Sequence, residues 1–267
     1  MARVAVCGVA GRMGRRLCEM VLDSGDLVLV GGTEAAGHPL LGTDLGVAVG
    51  RAPLGVAVTD DLGAAAGQAQ VVLDFTRPEA TLAAAAVCAR SRVAMVVGTT
   101  GFSPEQQETL ARTVSSIPVV MAPNFSTAMN LLFRLVEEAA RILGDGYDVE
   151  VVEAHHRHKV DAPSGTALRL AQQAASGLQR NLDEVAVHGR QGIVGPRTRQ
   201  EIGIHALRAG DLVGDHTVLF GAPGECLQLG HRATSRDAFA AGALRAARYV
   251  VGAAPGIHSM WEVLGIA

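Results

Sequence analysis

The chain has 267 residues, of which 49% are apolar and 18% are charged, a composition typical of globular domains with a sizeable core. Its net charge of −3 would attract neither nucleic acid nor an anionic membrane surface. No apolar run approaches the roughly 20 residues that span a bilayer. We therefore expect no nucleic-acid partner and no membrane partner.

The first half of the chain alternates apolar runs with segments of helical character. The apolar runs predict strands at residues 4–6, 27–32, 71–75, 94–98 and 119–122. Helices are predicted at 13–22, at 79–88 and from Ser103 onward. Continuous apolar strands alternating with helices are typical of a parallel, doubly wound sheet that is buried on both faces. The Gly-rich stretch 40–55 predicts a flexible loop with little regular structure.

From residue 127 the pattern changes to strands in succession. Helices are predicted at 128–143, 166–178 and 237–251, and strands at 148–154, 184–188, 202–208, 217–220 and 226–231. Only one clear helix interrupts these strands, which indicates a second α+β domain built on a mixed or antiparallel open sheet. The last helix could return to pack on the first domain.

The cysteines indicate a reducing compartment. Cys7, Cys18, Cys88 and Cys226 share no C-x-x-C pairing and no metal-ligand spacing, so we expect free thiols. The N-terminal residues lead directly into an apolar run without a leader of signal-peptide length. These features predict a cytoplasmic protein.

A glycine-rich turn joins the first predicted strand to the first predicted helix. Gly8, Gly11 and Gly14 form the pattern G-x-x-G-x-x-G, in which backbone amides and a helix N-terminus can approach a pyrophosphate. Glu34 lies at the end of the second strand, where a carboxylate can bind the ribose hydroxyls of adenosine. The pattern predicts a dinucleotide site, the alternatives being a packing turn and a solvated carboxylate.

The residue after Glu34 bears on the choice of cofactor. Ala35 offers no guanidinium for the 2′-phosphate of NADPH, although Arg12, Arg15 and Arg16 are nearby and could partly substitute. The sequence therefore favours NADH over NADPH.

Two later strand ends are expected to belong to the same site. Residues 98–100 (Gly-Thr-Thr) and 122–125 (Ala-Pro-Asn-Phe) follow apolar runs, and ligands of open α/β sheets bind beyond the carboxyl ends of the strands. Taken alone, either segment is better explained as an ordinary turn.

A dense basic cluster occupies residues 155–159, which comprise three histidines, Arg157 and Lys159. Like charges this close repel one another unless an anion lies among them. Gly165 and Thr166 open the next helix, whose first amides offer a second anion site. Because Lys159 could donate a proton and a histidine could act as an acid or orient a ligand, the cluster predicts a site for a small carboxylate-bearing substrate.

Three other interpretations of the cluster remain open. A zinc site is disfavoured because Arg157 and Lys159 would repel a cation and no H-E-x-x-H spacing is present, so no metal is expected. A nucleic-acid patch would require interleaved aromatic residues and a basic chain. A solvated loop is the third interpretation.

Together the motifs resemble those of the dihydrodipicolinate reductases, also called 4-hydroxy-tetrahydrodipicolinate reductases, of bacterial lysine and diaminopimelate biosynthesis. The matching segments are the glycine turn and residues 74–78, 98–102, 122–126, 153–159, 161–166, 208–211, 214–216 and 231–236. The most specific is E-A-H-H-R-H-K followed by D-A-P-S-G-T, and the resemblance runs from about residue 3 to the end. It implies that a cyclic imine loses its 4-hydroxyl as water and accepts a hydride at ring C4.

The resemblance also implies roles for individual residues. His155 would be the active-site proton donor or acceptor, and Lys159 the proton donor. The substrate dicarboxylate would be held by His156, Gly165 and Thr166. Cofactor contacts would come from Gly8, Val9, Ala10, Gly11, Arg12, Met13, Glu34, Gly98, Thr99, Thr100, Ala122, Pro123, Asn124 and Phe125.

The resemblance further bears on assembly and domain roles. Family members are typically homotetramers assembled through the sheets of the substrate domain, and many carry an arginine where this chain has Ala35. We predict a dinucleotide-binding domain at 1–126 and a substrate-binding and oligomerisation domain at 127–236. A C-terminal segment at 237–267 is expected to return to the first domain.

Overall fold

The computed structural model describes residues 1–266. The described chain divides into two compact units, Met1–Thr127 with Asp237–Gly265, and Ala128–Arg236. The predicted C-terminal segment ends at Ala267, which lies outside the described residues. The described strands are β1 (Ala2–Cys7), β2 (Leu27–Thr33), β3 (Val71–Asp74), β4 (Ala94–Val97), β5 (Pro118–Met121), β6 (Asp148–His155), β7 (Ala186–His188), β8 (Ile202–Arg208), β9 (Gly214–Ala222), β10 (Glu225–Ala233) and β11 (Gly256–His258). The helices are α1 (Arg12–Leu22), α2 (Leu45–Ala48), α3 (Leu62–Ala66), α4 (Pro78–Ser91), α5 (Pro104–Thr113), α6 (Thr127–Leu143), α7 (Gly165–Gly177), α8 (Leu182–Val185), α9 (Asp237–Val250) and α10 (Met260–Leu264).

The first unit is built on a parallel sheet with the strand order β11-β5-β4-β3-β1-β2. Successive side chains of a strand point to opposite faces, so Val4 and Val6 enter one hydrophobic core while Ala5 and Cys7 enter another. Both faces are therefore buried, as continuous apolar strands require. The predicted doubly wound parallel sheet is confirmed.

Local sequence signals explain where the helices of this unit begin. Pro78 occupies the first turn of α4, where the missing N–H costs no hydrogen bond. Ser103 caps α5 by accepting a hydrogen bond from Gln106 N, while the Gln106 side chain accepts from Ser103 N. Such caps satisfy amides that the helix itself leaves without a partner.

The second unit is built on a mixed sheet with the strand order β10-β9-β6-β8-β7. Strand β6 pairs antiparallel with β9 on one side and parallel with β8 on the other. The inner face of this sheet packs against α7 and buries Val149, Val151 and Phe220. The predicted second α+β domain with a mixed sheet is confirmed.

Polar caps start short helices in two segments. The stretch 40–55 has little regular structure, as predicted, apart from α2, where the Asp44 carboxylate accepts hydrogen bonds from the amides of Gly46 and Val47. Residues 182–185 form α8, capped by Asn181, so the predicted strand 184–188 is reduced to β7. None of the helices within residues 1–266 combines the length and apolar character needed to cross a membrane.

Candidate functional site

The glycine turn between β1 and α1 has a geometry that requires glycine at two positions. Gly8 has a φ of +68°, in the left-handed region that side chains disfavour. A Cβ atom on Gly14 would lie 2.0 Å from the carbonyl oxygen of Gly8, so only glycine lets α1 start this close to the turn. Gly11, the N-cap of α1, has no side chain that could cover the first amides of the helix. The turn thus presents backbone N–H groups as an anion site does.

Glu34 is held against this turn by backbone amides. Its Oε2 accepts a hydrogen bond from Ala10 N at 2.8 Å, and its Oε1 accepts from Ala35 N at 3.0 Å. The turn is fastened to the same strand end because Gly8 N donates to Thr33 O at 2.8 Å. The carboxylate therefore lies beside the glycines, as ribose recognition would require.

A cleft of about 780 Å³ opens at this edge of the parallel sheet. Its lining combines the glycine turn, the ends of β2 and β3, and one face of α4. The lining residues are Cys7, Gly8, Gly11, Thr33, Glu34, Ala35, Ala36, Asp60, Asp61, Leu62, Asp74, Phe75, Thr76, Arg77, Ala80, Ala83, Ala84 and Val87. The volume and the glycine cradle fit a nicotinamide dinucleotide.

Asp74 is a buried carboxyl group at this cleft to which the sequence argument gave no role. Its Oδ1 accepts hydrogen bonds from Thr76 N at 3.0 Å and from Thr76 Oγ1 at 2.6 Å. Burial raises the pKa of Asp74 despite these hydrogen bonds. The carboxyl group fixes the segment after β3 where that segment meets the cleft.

The structure separates the predicted cofactor residues into different environments. Gly8, Gly11 and Glu34 line the cleft, and Thr99 is joined to it because its Oγ1 accepts a hydrogen bond from Thr76 N at 3.1 Å. The Phe125 ring is buried, with its centroid 5.1 Å from that of Phe75.

Other predicted cofactor residues have buried side chains or lie at the surface. The side chains of Val9 and Ala122 are also buried, so contacts from these positions and from Phe125 would be made by backbone atoms. Arg12, Thr100 and Pro123 are exposed. Asn124 Oδ1 accepts a hydrogen bond from Ser126 N at 2.8 Å.

In the second unit, Glu153 is the centre of the basic cluster. This residue is fully buried, and its Oε2 lies 2.5 Å from His155 Nδ1. Arg208 from β8 donates to both carboxylate oxygens at 2.9 Å, and Ser164 N donates to Oε1 at 3.0 Å. Burial alone would raise the pKa of Glu153, but these donors hold it below its ordinary value. The sequence argument named Glu153 in its motif but assigned it no role.

His216 from β9 is a second residue that sequence reasoning missed. Its ring packs edge-on against that of His155, with centroids 5.1 Å apart, and its Nε2 lies 3.2 Å from Ser164 Oγ. Burial, followed by the neighbouring His155, lowers the pKa of His216 to about 3. His216 is therefore neutral at physiological pH and adds no positive charge to the cluster.

Lys159 carries a further distinction that is visible in the sequence. It is the only lysine among the 23 lysine and arginine residues of the chain. Its Nζ lies 2.9 Å from Asp161 Oδ1, and its side chain is 21% exposed. Although burial opposes it, the ammonium group lowers the pKa of Asp161. An amine at this position can release a proton, whereas a guanidinium cannot.

The predicted substrate-binding residues lie at the end of β6 and the start of α7. His156 is half-buried, and its backbone N–H donates to Leu212 O at 2.8 Å. Gly165 and Thr166 are the first residues of α7, which Ser164 caps by accepting from Ala167 N. The first amides of a helix favour anions.

Two carboxylates accompany the basic side chains of this region. Asp161 pairs with Lys159, and Glu153 pairs with Arg208, which lies outside residues 155–159. The anion expected among residues 155–159 stays a prediction. Among the residues that the structure describes, no group of three or more His, Cys, Asp or Glu side chains could hold a metal ion.

Comparisons with known proteins identify the family. A model of the dihydrodipicolinate reductase N-terminus matches residues 2–125, and one of the C-terminus matches residues 128–264. A 4-hydroxy-tetrahydrodipicolinate reductase of Myxococcus xanthus is 52% identical over 99% of this chain and 98% of its own. One from Anaeromyxobacter dehalogenans is 49% identical over 100% and 98%.

Solved structures agree with these matches. A dipicolinate-bound dihydrodipicolinate reductase from a Paenisporosarcina species superposes with a TM-score of 0.78 at 27% identity, covering 98% of both chains. An amine dehydrogenase from Mycobacterium smegmatis shares the fold alone, with a TM-score of 0.61 at 18% identity, covering 97% of this chain and 95% of its own. The resemblance found in the sequence motifs is confirmed, and the chain belongs to the dihydrodipicolinate reductase family.

Proposed function

We propose that the chain reduces 4-hydroxy-tetrahydrodipicolinate to tetrahydrodipicolinate, with loss of water, in the diaminopimelate route to lysine. The observation that carries this proposal is the buried Glu153–His155 pair beside the start of α7, in a chain whose other unit has a dinucleotide-type glycine turn. The reductase name of the relatives at 49–52% identity supports the same reaction.

The cofactor would be held by the first unit, for which we keep the predicted range 1–126 together with the C-terminal segment 237–267. Residues 8–13 would contact the cofactor, with the pyrophosphate at the first amides of α1, because the amides of residues 8–11 already donate within the protein. Glu34 would bind the ribose hydroxyls, and residues 98–100 and 122–125 would complete the contacts. When bound, the reduced nicotinamide supplies the hydride that reaches ring C4 of the substrate.

NADH is proposed to be used at least as well as NADPH. Ala35 is exposed and carries no charge toward a 2′-phosphate. Arg15 is paired with a carboxylate one turn along α1, and Arg16 is paired with Asp237 at 2.7 Å. Arg12 is exposed in the first turn and is the remaining nearby arginine. Matched assays with both cofactors test this preference, and a large preference for NADPH would contradict it.

The substrate would be held by the second unit, with the predicted range 127–236. Its two carboxylates suit the α7 amides at Gly165 and Thr166 and the imidazole of His156. His155 would donate or accept a proton during the reaction, and Lys159 would donate the proton that completes the reduction. The ion pair with Asp161, with Lys159 Nζ 2.9 Å from Asp161 Oδ1, supports this role because it fixes the position of the amine.

The reaction is tested directly with freshly generated 4-hydroxy-tetrahydrodipicolinate. Enzyme-dependent loss of reduced-nicotinamide absorbance is expected with NADH, NADPH or both. If neither cofactor is oxidised, the proposal fails. If the cofactor binds without turnover and substitutions at His155 and Lys159 have no effect on the protein's behaviour, the chain is a nucleotide-binding sensor instead.

The role of Lys159 is tested by Lys159→Arg, which keeps the positive charge but removes the transferable proton. We expect kcat to fall by about 100-fold or more, the scale of a lost general acid, while the Kd for NADH stays unchanged. Arg141→Lys, at an exposed ion pair near the end of α6 in the same unit, is the matched control and should keep full activity. Wild-type turnover by Lys159→Arg would exclude Lys159 as the proton donor.

A cytoplasmic homotetramer is proposed as the assembled form. Its support is the family resemblance, together with large apolar side chains exposed on the second unit, such as Leu207 at 54% and Leu227 at 40%, which lie on opposite faces of the sheet. Light scattering should give four times the mass of one chain, and a monomer at assay concentration would contradict the proposal. The four free thiols support a reducing compartment.

A further inference from the structure

We propose that Glu153 is a positioning residue that fixes the tautomer of His155, so that Nδ1 carries the proton and Nε2 is the reacting nitrogen. This inference rests on the proposed function, in which His155 takes part in proton transfer. To that function it adds a role for Glu153 and the assignment of Nε2 as the reacting atom of His155, with a physical reason for each.

The inference rests on the hydrogen bonds that the Glu153 carboxylate accepts. Oε1 accepts from Ser164 N at 3.0 Å and from Arg208 at 2.9 Å, while Oε2 accepts from the other Arg208 nitrogen at 2.9 Å. A backbone amide and a guanidinium can only donate, so the carboxylate must stay an acceptor. His155 Nδ1, 2.5 Å from Oε2, must therefore be the protonated ring nitrogen.

The surroundings of Nε2 agree with this assignment. A Cβ atom on Gly214 would lie 3.0 Å from His155 Nε2 and 3.5 Å from His216 Cε1. Glycine at this position thus keeps a side chain of residue 214 away from the reacting nitrogen. The ring of His216 packs edge-on against that of His155. This packing and the contact with Glu153 together restrict the rotation of the His155 ring.

The isosteric change Glu153→Gln should invert the tautomer. Gln has one acceptor oxygen and one donor nitrogen. Ser164 N and an Arg208 nitrogen both donate hydrogen bonds to the position of Oε1. The single oxygen of the Gln side chain must therefore occupy that position. The amide nitrogen is then directed toward His155, whose Nδ1 must accept, and the proton moves to Nε2. In this orientation the amide nitrogen meets one donor, the other Arg208 nitrogen, whereas the opposite orientation would set it against two donors, Ser164 N and an Arg208 nitrogen, with no acceptor.

The consequence for catalysis is a loss in kcat rather than in binding. A histidine in the wrong tautomer cannot exchange its proton at the required atom, and a comparable exchange in a serine-protease triad lowers kcat by about 10⁴-fold. We expect Glu153→Gln to lower kcat by at least about 100-fold. The KM for the dicarboxylate and the Kd for NADH should change by less than about threefold, because the charges proposed to bind them remain.

The tautomer is measured without substrate, by ¹H–¹⁵N correlation of the histidine ring nitrogens at about pH 8.5, above the ordinary imidazole pKa of about 6.5. The His155 signals are assigned by their absence in His155→Gln. Wild-type protein should show a protonated Nδ1, and Glu153→Gln a protonated Nε2. A wild-type Nε2–H tautomer overturns the inference, whatever the activity.

Two variants separate positioning from a general structural effect. Glu150→Gln changes a carboxylate on the same strand that also contacts a histidine, His205, and two arginines, and it should keep wild-type kcat. Glu153→Asp keeps an acceptor-only group and should keep the wild-type tautomer with a smaller loss of kcat. If Glu153→Gln fails to fold, the wild-type and Glu153→Asp spectra decide whether Nδ1 carries the proton.

The outcomes also distinguish this inference from the proposed function. If Glu153→Gln lowers kcat but leaves the tautomer unchanged, Glu153 has only a structural role and the inference is wrong. Wild-type kcat in that variant would overturn the inference directly. Absence of turnover by the wild-type protein sinks the proposed function, while the tautomer measurement would still report on Glu153.

Discussion

The contact between Gly14 and the glycine turn allows one substitution to be worked through from the structure. A Cβ atom at Gly14 would lie 2.0 Å from Gly8 O and 2.7 Å from Gly8 C, whereas real Cβ contacts are not found under 3.0 Å. In Gly14→Ala the helix and the turn must therefore separate by about 1 Å. The overlapping atoms belong to the backbone, so no side-chain rotation can relieve the overlap.

Two energies of opposite sign decide the outcome. Alanine in a helix is favoured over glycine by about 0.5–1 kcal/mol, while overpacking costs about 1–3 kcal/mol. Because the overlap is with fixed atoms, we expect the larger cost and a net loss of about 1–2 kcal/mol in the free energy of unfolding. The displaced amides should weaken NADH binding at least about tenfold, which corresponds to about 1.4 kcal/mol.

Titration calorimetry with NADH and urea unfolding measure both effects. Gly25→Ala is the matched control, since a Cβ atom there would meet nothing within 4 Å. It should bind NADH as the wild-type protein does. If Gly14→Ala and Gly25→Ala prove indistinguishable in NADH affinity, the close approach at Gly14 does not matter for the cofactor and the reasoning is refuted.

Three further changes test other features. Ala35→Arg should raise the ratio of kcat/KM for NADPH to that for NADH at least about tenfold, because a guanidinium can then meet a 2′-phosphate; an unchanged ratio would place phosphate recognition elsewhere. Although burial opposes the shift, hydrogen bonds from arginine and histidine partners lower the pKa of Glu150 from 4.5 to about 2. The ionised Glu150 carboxylate therefore stabilises the fold fully above pH 4.5, and this stabilisation is lost as the pH falls toward 2. Glu150→Gln should therefore flatten the acid side of a plot of unfolding free energy against pH, and a slope equal to that of the wild type would contradict this. Gly242→Ala should destabilise the protein by about 1–3 kcal/mol, because its Cβ atom would lie 1.7 Å from Phe125 O; a wild-type midpoint in urea would show that α9 can move aside.

The sequence predicted the long elements of both units, but not the short elements. Strand β11, with three residues, exists because it pairs with β5, and no periodicity can be read from so few residues. Helix α2 depends on the acceptor Asp44, whose carboxylate also binds the amides of Leu54 and Gly55. These contacts join residues about ten positions apart, which local propensity does not report.

The candidate site shows a similar division. Glu153 lies in the predicted strand 148–154 and His155 directly follows that strand, so the two-residue spacing already favours their lying on one face. Arg208 and His216 lie on strands far along the chain, and only the sheet order brings them to this pair. The uniqueness of Lys159, in contrast, is legible from the sequence alone and is the strongest signal that sequence reasoning overlooked.

The discontinuous make-up of the first unit has a consequence for its biosynthesis. The helix α9 and the edge strand β11 belong to that unit, yet they are encoded after the whole second unit. The segment Asp237–Gly265 must therefore leave the ribosome before the parallel sheet can be completed, whereas the second unit is continuous in the chain. Nascent domains usually fold in the order of their synthesis, but here the unit that is synthesised first is completed last. Until α9 has been synthesised, the apolar face of the sheet that α9 covers stays accessible to chaperones.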